Sequence, residues 1–211
     1  MDADAAEIRV LGCLIEKQRT TPDVYPLSIN SLRLACNQST NRDPVVDYDE
    51  ATIRAALEQL SRKRWVRLAS GSGSRAIKYR HLLDEALSLG DAELALLAVL
   101  MLRGPQTPGE LKSRTERLHA FGSTVEVEET LEQLARRELA VRQPRRPGQK
   151  EDRFAQLLGG EPEDAVAAAH SFAPPPPPRE DDARVEALEA RVDRLEDEVQ
   201  SLRAALESLR R

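Results

Sequence analysis

The residues best suited to catalysis or metal binding are few in this chain. Its 211 residues include three histidines and two cysteines: His81, His119, His170, Cys13 and Cys36. None of them falls at the short spacings of zinc sites or of local nucleophile–base motifs. Cys13 lies in an apolar helical stretch and Cys36 at the end of another, so both are expected to be packing residues. The sequence therefore predicts a protein that is not an enzyme and needs no metal or other cofactor.

The glycines near residue 72 are a second candidate, because phosphate-binding loops are rich in glycine. Gly71 and Gly73 lie between two predicted strands. A phosphate loop instead leads from a strand into the N-terminus of a helix, whose N–H groups point at the anion. We expect this segment to be a hairpin tip, and we expect Trp65 to anchor that hairpin to its core.

Side chains that bind phosphates and base edges form two groups, which we predict to contact double-stranded DNA. The first group lies in an amide-rich loop and contains Asn37, Gln38, Asn41 and Arg42. The second lies on two predicted hairpins and contains Arg75, Lys78, Arg142, Arg145, Arg146 and Lys150. Such basic and amide side chains supply many of the protein contacts to the DNA backbone. A solvated, charged hairpin is the alternative interpretation of the second hairpin.

The elements that would position these groups follow from hydrophobic periodicity. Helical spacing predicts three helices in the first half of the chain, over residues 5–17, 28–36 and 47–64. Ser28 is a good N-cap for the second helix, and Asp47 with Glu50 has the spacing of a capping box at the start of the third. Residues 65–68 and 76–80 predict the two strands of a hairpin.

The same order of elements repeats in the second half. Helix starts are predicted at Thr107 and Ser123, because each is a good N-cap with a glutamate three residues later. The letters Leu-Glu-Gln-Leu of residues 57–60 recur at residues 131–134. A second hairpin is predicted over residues 139–156. The repeat predicts a duplicated fold in which each copy is a winged helix.

The outward faces of the two third helices differ in how well they suit DNA. In the third helix of the first half, the outward positions are Ala55, Glu58, Gln59 and Arg62. In the third helix of the second half, the outward positions are Glu129, Glu132, Gln133 and Arg136. We predict that Gln59 and Arg62 contact DNA, because both can donate hydrogen bonds to base edges. Phosphates repel glutamate, so the third helix of the second half is predicted to bind DNA poorly.

The C-terminal part of the chain has two different patterns. Residues 159–183 lack apolar periodicity and include five consecutive prolines, which predicts a disordered, proline-rich linker. Residues 184–211 carry a heptad seam formed by Val185, Leu188, Val192, Leu195, Val199, Leu202, Leu206 and Leu209. Valine at position a and leucine at position d favour a parallel homodimeric coiled coil. A single solvated helix is the alternative.

These patterns define a predicted architecture. The fold class is mostly α with small β-hairpin wings, which is α+β. The predicted parts are a first winged-helix domain at residues 1–84, a second at residues 85–158, the linker at 159–183 and the coiled-coil dimerisation helix at 184–211.

Several strings of this sequence resemble the hallmark of the YceH family. They are TTPDVYPLS at residues 20–28, ACNQ at 35–38, NRDP at 41–44, PQTPGEL at 105–111 and RTER at 114–117. The resemblance covers residues 5–158 and implies a tandem winged-helix fold. It implies no catalytic residue and no partner, because that family has no established biochemical function.

Charge distribution leaves two classes of function open. The net charge is −5, and ten acidic residues and six arginines lie in residues 180–211, so residues 1–179 are almost neutral. The near-neutral body and acidic tail favour a scaffold that joins partner proteins. The basic second hairpin and the amide-rich loop favour DNA. We predict a DNA-binding protein with a role in transcriptional regulation, and the protein-interaction scaffold is the alternative.

The N-terminus and the apolar runs predict a location. Residues 1–10 show no basic region of the kind that opens a signal peptide. The longest apolar run, residues 94–102, is far shorter than the roughly twenty residues that span a bilayer, so we expect it to be a buried helix. We predict a cytoplasmic protein without a membrane span and with reduced cysteines.

Overall fold

The computed structural model describes residues 3–69, 77–145 and 151–160. All of them belong to one compact unit, residues 1–166. Within the described residues there are seven α-helices and two small antiparallel sheets, which confirms the α+β class. The predicted coiled coil, nearly all of the predicted linker, the first hairpin tip and residues 146–150 of the second hairpin lie outside the described residues.

The first half contains three helices and a three-stranded sheet. Its elements are α1 (Ala5–Thr20), β1 (Leu27–Ser28), α2 (Ile29–Cys36), α3 (Glu50–Arg62), β2 (Val66–Leu68) and β3 (Lys78–His81). The strand order is β1-β3-β2, with Leu27 opposite Tyr79 and Val66 opposite His81. The sequence patterns did not predict β1, because two residues are too few to show strand alternation.

The second half repeats this order after a short connecting helix. Its elements are α4 (Leu83–Leu87), α5 (Asp91–Arg103), α6 (Pro108–Thr115), α7 (Thr124–Arg136), β4 (Ala140–Gln143) and β5 (Arg153–Gln156). Gln106 takes the place that β1 has in the first half. Its N–H donates to the carbonyl of Phe154 at 3.0 Å and its carbonyl accepts from the N–H of Phe154 at 2.8 Å. In both halves, the segment before the second helix therefore pairs with the last strand of the hairpin.

Three of the predicted helix starts are confirmed by their hydrogen bonds. The side chains of Ser28, Thr107 and Ser123 each accept from the backbone N–H three residues later, at 3.2, 3.2 and 3.1 Å. At Thr107 the box is reciprocal, because the Glu110 side chain accepts from the Thr107 N–H at 2.9 Å. Such a cap stabilises a helix by about 1 kcal/mol.

The predicted start of α3 is wrong by two residues. The N-cap is Asp49, whose Oδ1 accepts from the N–H of Thr52 at 2.8 Å. Asp47 instead accepts from the Asn37 side chain at 3.2 Å and belongs to the preceding loop. The sequence offers two aspartates near this position, and the local spacing does not decide between them.

The two halves pack on each other through their equivalent first helices, α1 and α5. Gly12 lies at the closest approach: a Cβ atom there would stand 3.0 Å from Cγ of Leu102 and 3.1 Å from Cβ of Met101. Only glycine lets the helices come this close without a shift. The buried residues of both halves form one continuous cluster.

Helix α5 carries the longest apolar run, and residues 94–102 are all buried. They bury the side of α5 that faces α1 as well as the sides that face α6, α7 and β5. This confirms the prediction of a buried helix. Among the described helices, none has the length and the apolar character that crossing a membrane requires.

Candidate nucleic-acid interface

The outward face of α3 is the first part of the candidate interface. The helix buries Ile53, Leu57 and Leu60, and this leaves Ala55, Glu58, Gln59 and Arg62 exposed, as the spacing predicts. Within the described part of the chain, the Gln59 and Arg62 side chains make no hydrogen bond or ion pair. Both are therefore available to a ligand at the C-terminal end of α3.

Two further arginines extend this surface, and sequence reasoning missed both. Arg64 follows α3 with a positive φ of 60°, and Arg67 lies in β2; both are exposed. The signal was the run Arg62-Lys63-Arg64 with Arg67 close behind. Lys63 in that run has another role, because its ammonium group lies 2.5 Å from the buried carboxylate of Glu7.

The hairpin of the first half contributes less than predicted within the described residues. Lys78 is half-buried in β3, and Arg75 lies outside the described residues. Leu68 and Ile77, on opposite sides of the tip, are 60% and 62% exposed. Two large apolar side chains in this position suit a protein partner better than a phosphate backbone.

The segment of residues 37–42 was predicted to bind phosphates, but several of its side chains are engaged by other parts of the protein. The Asn37 side chain donates to the carbonyl of Tyr48 at 2.8 Å, and its Oδ1 accepts from the Tyr48 N–H at 2.9 Å. The Asn41 side chain accepts from Arg103 at the end of α5. These amides hold the loop closed and fasten it to the second half.

Arg42 is the clearest correction within this loop. Its side chain is fully buried and donates to Glu16 at 2.6 Å, to the carbonyl of Ala35 at 3.1 Å and to Gln38 at 2.9 Å. Burial by itself raises the pKa of Glu16, but the hydrogen bond and charge of Arg42 outweigh it and lower that pKa. The buried Arg42 guanidinium is therefore not accessible to a phosphate, and the half-buried Gln38 is one of its acceptors.

The hairpin of the second half is basic, but its described arginines already have acidic partners. Arg142 donates to Glu132 at 2.6 Å and to Asp152 at 3.4 Å, and its guanidinium lies 5.1 Å from the centre of the Phe154 ring. Arg145 donates to Asp152 at 3.1 Å. Arg146 and Lys150 lie outside the described residues. The described part of this hairpin is thus largely neutralised.

The third helix of the second half has the predicted acidic face. Glu129, Gln133 and Arg136 are exposed, and Glu132 is half-buried beside Arg142. Helix α7 contains four glutamates and one arginine, whereas α3 contains two of each. A phosphate backbone would be repelled by α7 and not by α3.

The two cysteines first considered for chemistry contact each other through their side chains, whereas the described histidines have other partners. Cys13 and Cys36 are buried free thiols, and His81 is buried against Gln18 at 2.5 Å. In residues 3–69, 77–145 and 151–160, no three His, Cys, Asp or Glu side chains cluster so that they could hold a metal ion.

Known proteins resemble this chain over most of its length. Residues 3–149 match the family model described as "Protein of unknown function, DUF480". The chain is 49% identical over 189 residues to UPF0502 protein GSU0233 of Geobacter sulfurreducens, covering 87% of this chain and 85% of that protein. It is 54% identical over 162 residues to a UPF0502 protein of Geotalea daltonii, with 76% and 74% covered. A UPF0502 protein of Shewanella amazonensis is 47% identical over 194 residues, with 88% and 90% covered.

Proposed function

This chain belongs to the DUF480 family, the UPF0502 proteins that the YceH-like sequence strings indicated, and we propose that it is a non-enzymatic DNA-binding protein. In this proposal each half is a winged helix, and only the first half reads DNA. Its cysteines stay reduced in the cytoplasm. The role that follows is transcriptional regulation.

One observation carries the DNA proposal: Gln59 and Arg62, which have no side-chain partner among the described residues, stand at the exposed end of α3, next to Arg64 and Arg67. Arginine binds phosphates and guanine edges, and glutamine binds adenine edges. The C-terminal end of α3 and strand β2 thus present three cations close together in sequence. The buried Arg42 and the paired arginines Arg142 and Arg145 take no part in this contact.

The test compares equivalent positions in the two halves. Gln59→Ala with Arg62→Ala should weaken binding to a labelled duplex of random sequence by about tenfold. The matched control, Gln133→Ala with Arg136→Ala, should change affinity less than about twofold, because α7 faces DNA poorly. Fluorescence anisotropy at low salt measures both. Equal losses in the two variants would contradict the assignment to the first half.

A protein-interaction scaffold is the second candidate function. The acidic face of α7 and the exposed Leu68 and Ile77 favour it, because neither suits a phosphate backbone. If the full chain shows no duplex binding at about 50 mM salt, where electrostatic contacts are strong, the DNA proposal is wrong. The face of α7 is then the first surface to test for a partner.

Dimerisation through residues 184–211 remains part of the proposal and rests on the heptad seam alone. Two copies joined in this way would bring two α3 faces to one duplex and raise the effective concentration of the second. Leu195→Lys with Leu202→Lys puts charges into the seam and should give a monomer by light scattering. An unchanged mass would mean that the coil does not hold the dimer.

A further inference from the structure

A cavity of about 300 Å³ opens between the two halves, beside the contact of α1 with α5. This volume is at the lower end of the range of small-molecule sites. Its walls come from α1, the 37–48 loop, the end of α5 and strand β5, and they include Ile8, Arg9, Tyr48, Leu100, Met101 and Pro105. The lining is therefore mainly apolar and contains one buried cation.

That cation, Arg9, is 4% exposed. Its guanidinium donates to the carbonyl of Cys36 at 3.1 Å and to the carbonyl of Pro44 at 2.6 Å. Its Nε–H is buried and has no acceptor. In the described part of the chain no carboxylate lies within ion-pair distance of Arg9.

Other buried charges in the described residues are paired. Arg42 has Glu16, and Glu7 has Lys63. An unpaired buried charge is costly, so native proteins pair such groups or use them to bind a ligand. Asp43 also lines the cavity, but it is exposed and makes no ion pair with Arg9.

We propose that this cavity binds a small organic carboxylate, whose anion compensates Arg9 and whose apolar body contacts Ile8, Leu100 and Met101. Arginine presents a planar fork of donors that matches a carboxylate. A single buried cation in apolar walls suits one negative charge better than the multiple charges of a phosphate. The site is separate from the α3 surface, so this proposal stands whether or not the chain binds DNA.

The first arm of the test uses benzoate, benzamide and inorganic phosphate with the full wild-type chain. The Nε–Hε resonance of Arg9, identified by its loss in Arg9→Lys, should shift saturably with benzoate. Benzamide has the same shape without the charge and should bind about tenfold more weakly or worse. Equal binding of the two probes, or a response to phosphate alone, would overturn the proposal.

The second arm fills the cavity without removing any hydrogen bond. Ala5→Phe places a ring at the first residue of α1, on the cavity wall, and should weaken benzoate binding by about tenfold or more. The control, Ala86→Phe, places the same ring at an exposed position of α4. If both variants bind benzoate as tightly as the wild type, the ligand lies elsewhere and the proposal is wrong.

Discussion

The two halves of residues 3–160 share one order of elements, but they differ in where their charges lie. The first half buries two arginines, Arg9 and Arg42, and leaves cations exposed at the end of α3. The second half pairs its described hairpin arginines with Glu132 and Asp152 and presents glutamates on α7. Both halves bury apolar residues on the inner faces of their helices, whereas their exposed charges differ. A repeat of fold is thus no guide to a repeat of function.

The largest expected effect on stability comes from replacing the buried Arg42 of the first half, and it is compared with replacement of the exposed Arg142 of the second half. Arg42→Met removes the closest partner of the mostly buried Glu16 and leaves it the longer 3.4 Å contact with Lys17, so it should lower the free energy of unfolding by about 4 kcal/mol. Arg142→Met, at an exposed pair, should cost less than about 1 kcal/mol. Urea unfolding measures both, and similar losses would show that the loop arginine is not structural.

The next effect tests whether the halves unfold together. Gly12→Leu would collide with Leu102 and Met101 and should lower the free energy of unfolding by about 3 kcal/mol. The one tryptophan, Trp65, reports on the first half, and far-UV circular dichroism reports on both. The two transitions should coincide. As a control, Gly109→Ala lies in open space and should not destabilise the protein.

A smaller effect concerns pH and the last residues of β3 and β5. Burial lowers the pKa of His81 to about 4, against the raising effect of Asp84 at 3.5 Å. Since the folded state resists protonation, stability should be complete above about pH 6.5 and fall by about 2 kcal/mol by about pH 5. Strand β5 ends at Gln156, where β3 ends at His81. The variant His81→Gln therefore places the same residue at the end of β3, and it should remove most of the dependence of stability on pH. An unchanged pH profile in that variant would assign the loss to other groups.

The smallest effect compares the caps of the two second helices. Thr107→Ala removes one side of a reciprocal box with Glu110 and should cost about 1 kcal/mol or more. Ser28→Ala removes a single backbone contact at 3.2 Å and should cost about 0.5 kcal/mol. Thermal unfolding of the two variants gives the order. The reverse order would mean that the Thr107 hydroxyl stabilises its helix no more than the Ser28 hydroxyl does.

The sequence by itself determined the order of the longer helices and of the two hairpins, the three confirmed caps and the exposed positions of α3. These properties are local, because periodicity and capping depend on residues within a few positions of each other. The same signals failed where two equal candidates stood close together, as at Asp47 and Asp49. They also failed for β1, which is too short to have a period.

Only the tertiary structure decided how the polar side chains are used. Asn37, Gln38 and Arg42 look the same in sequence whether they face solvent or close a loop, and their partners lie up to 26 positions away. The contact of α1 with α5 at Gly12, and the cavity with the unpaired Arg9, likewise join segments that are distant in sequence. Periodicity tells which side of a helix is buried, but not what covers it, because that depends on how the halves meet.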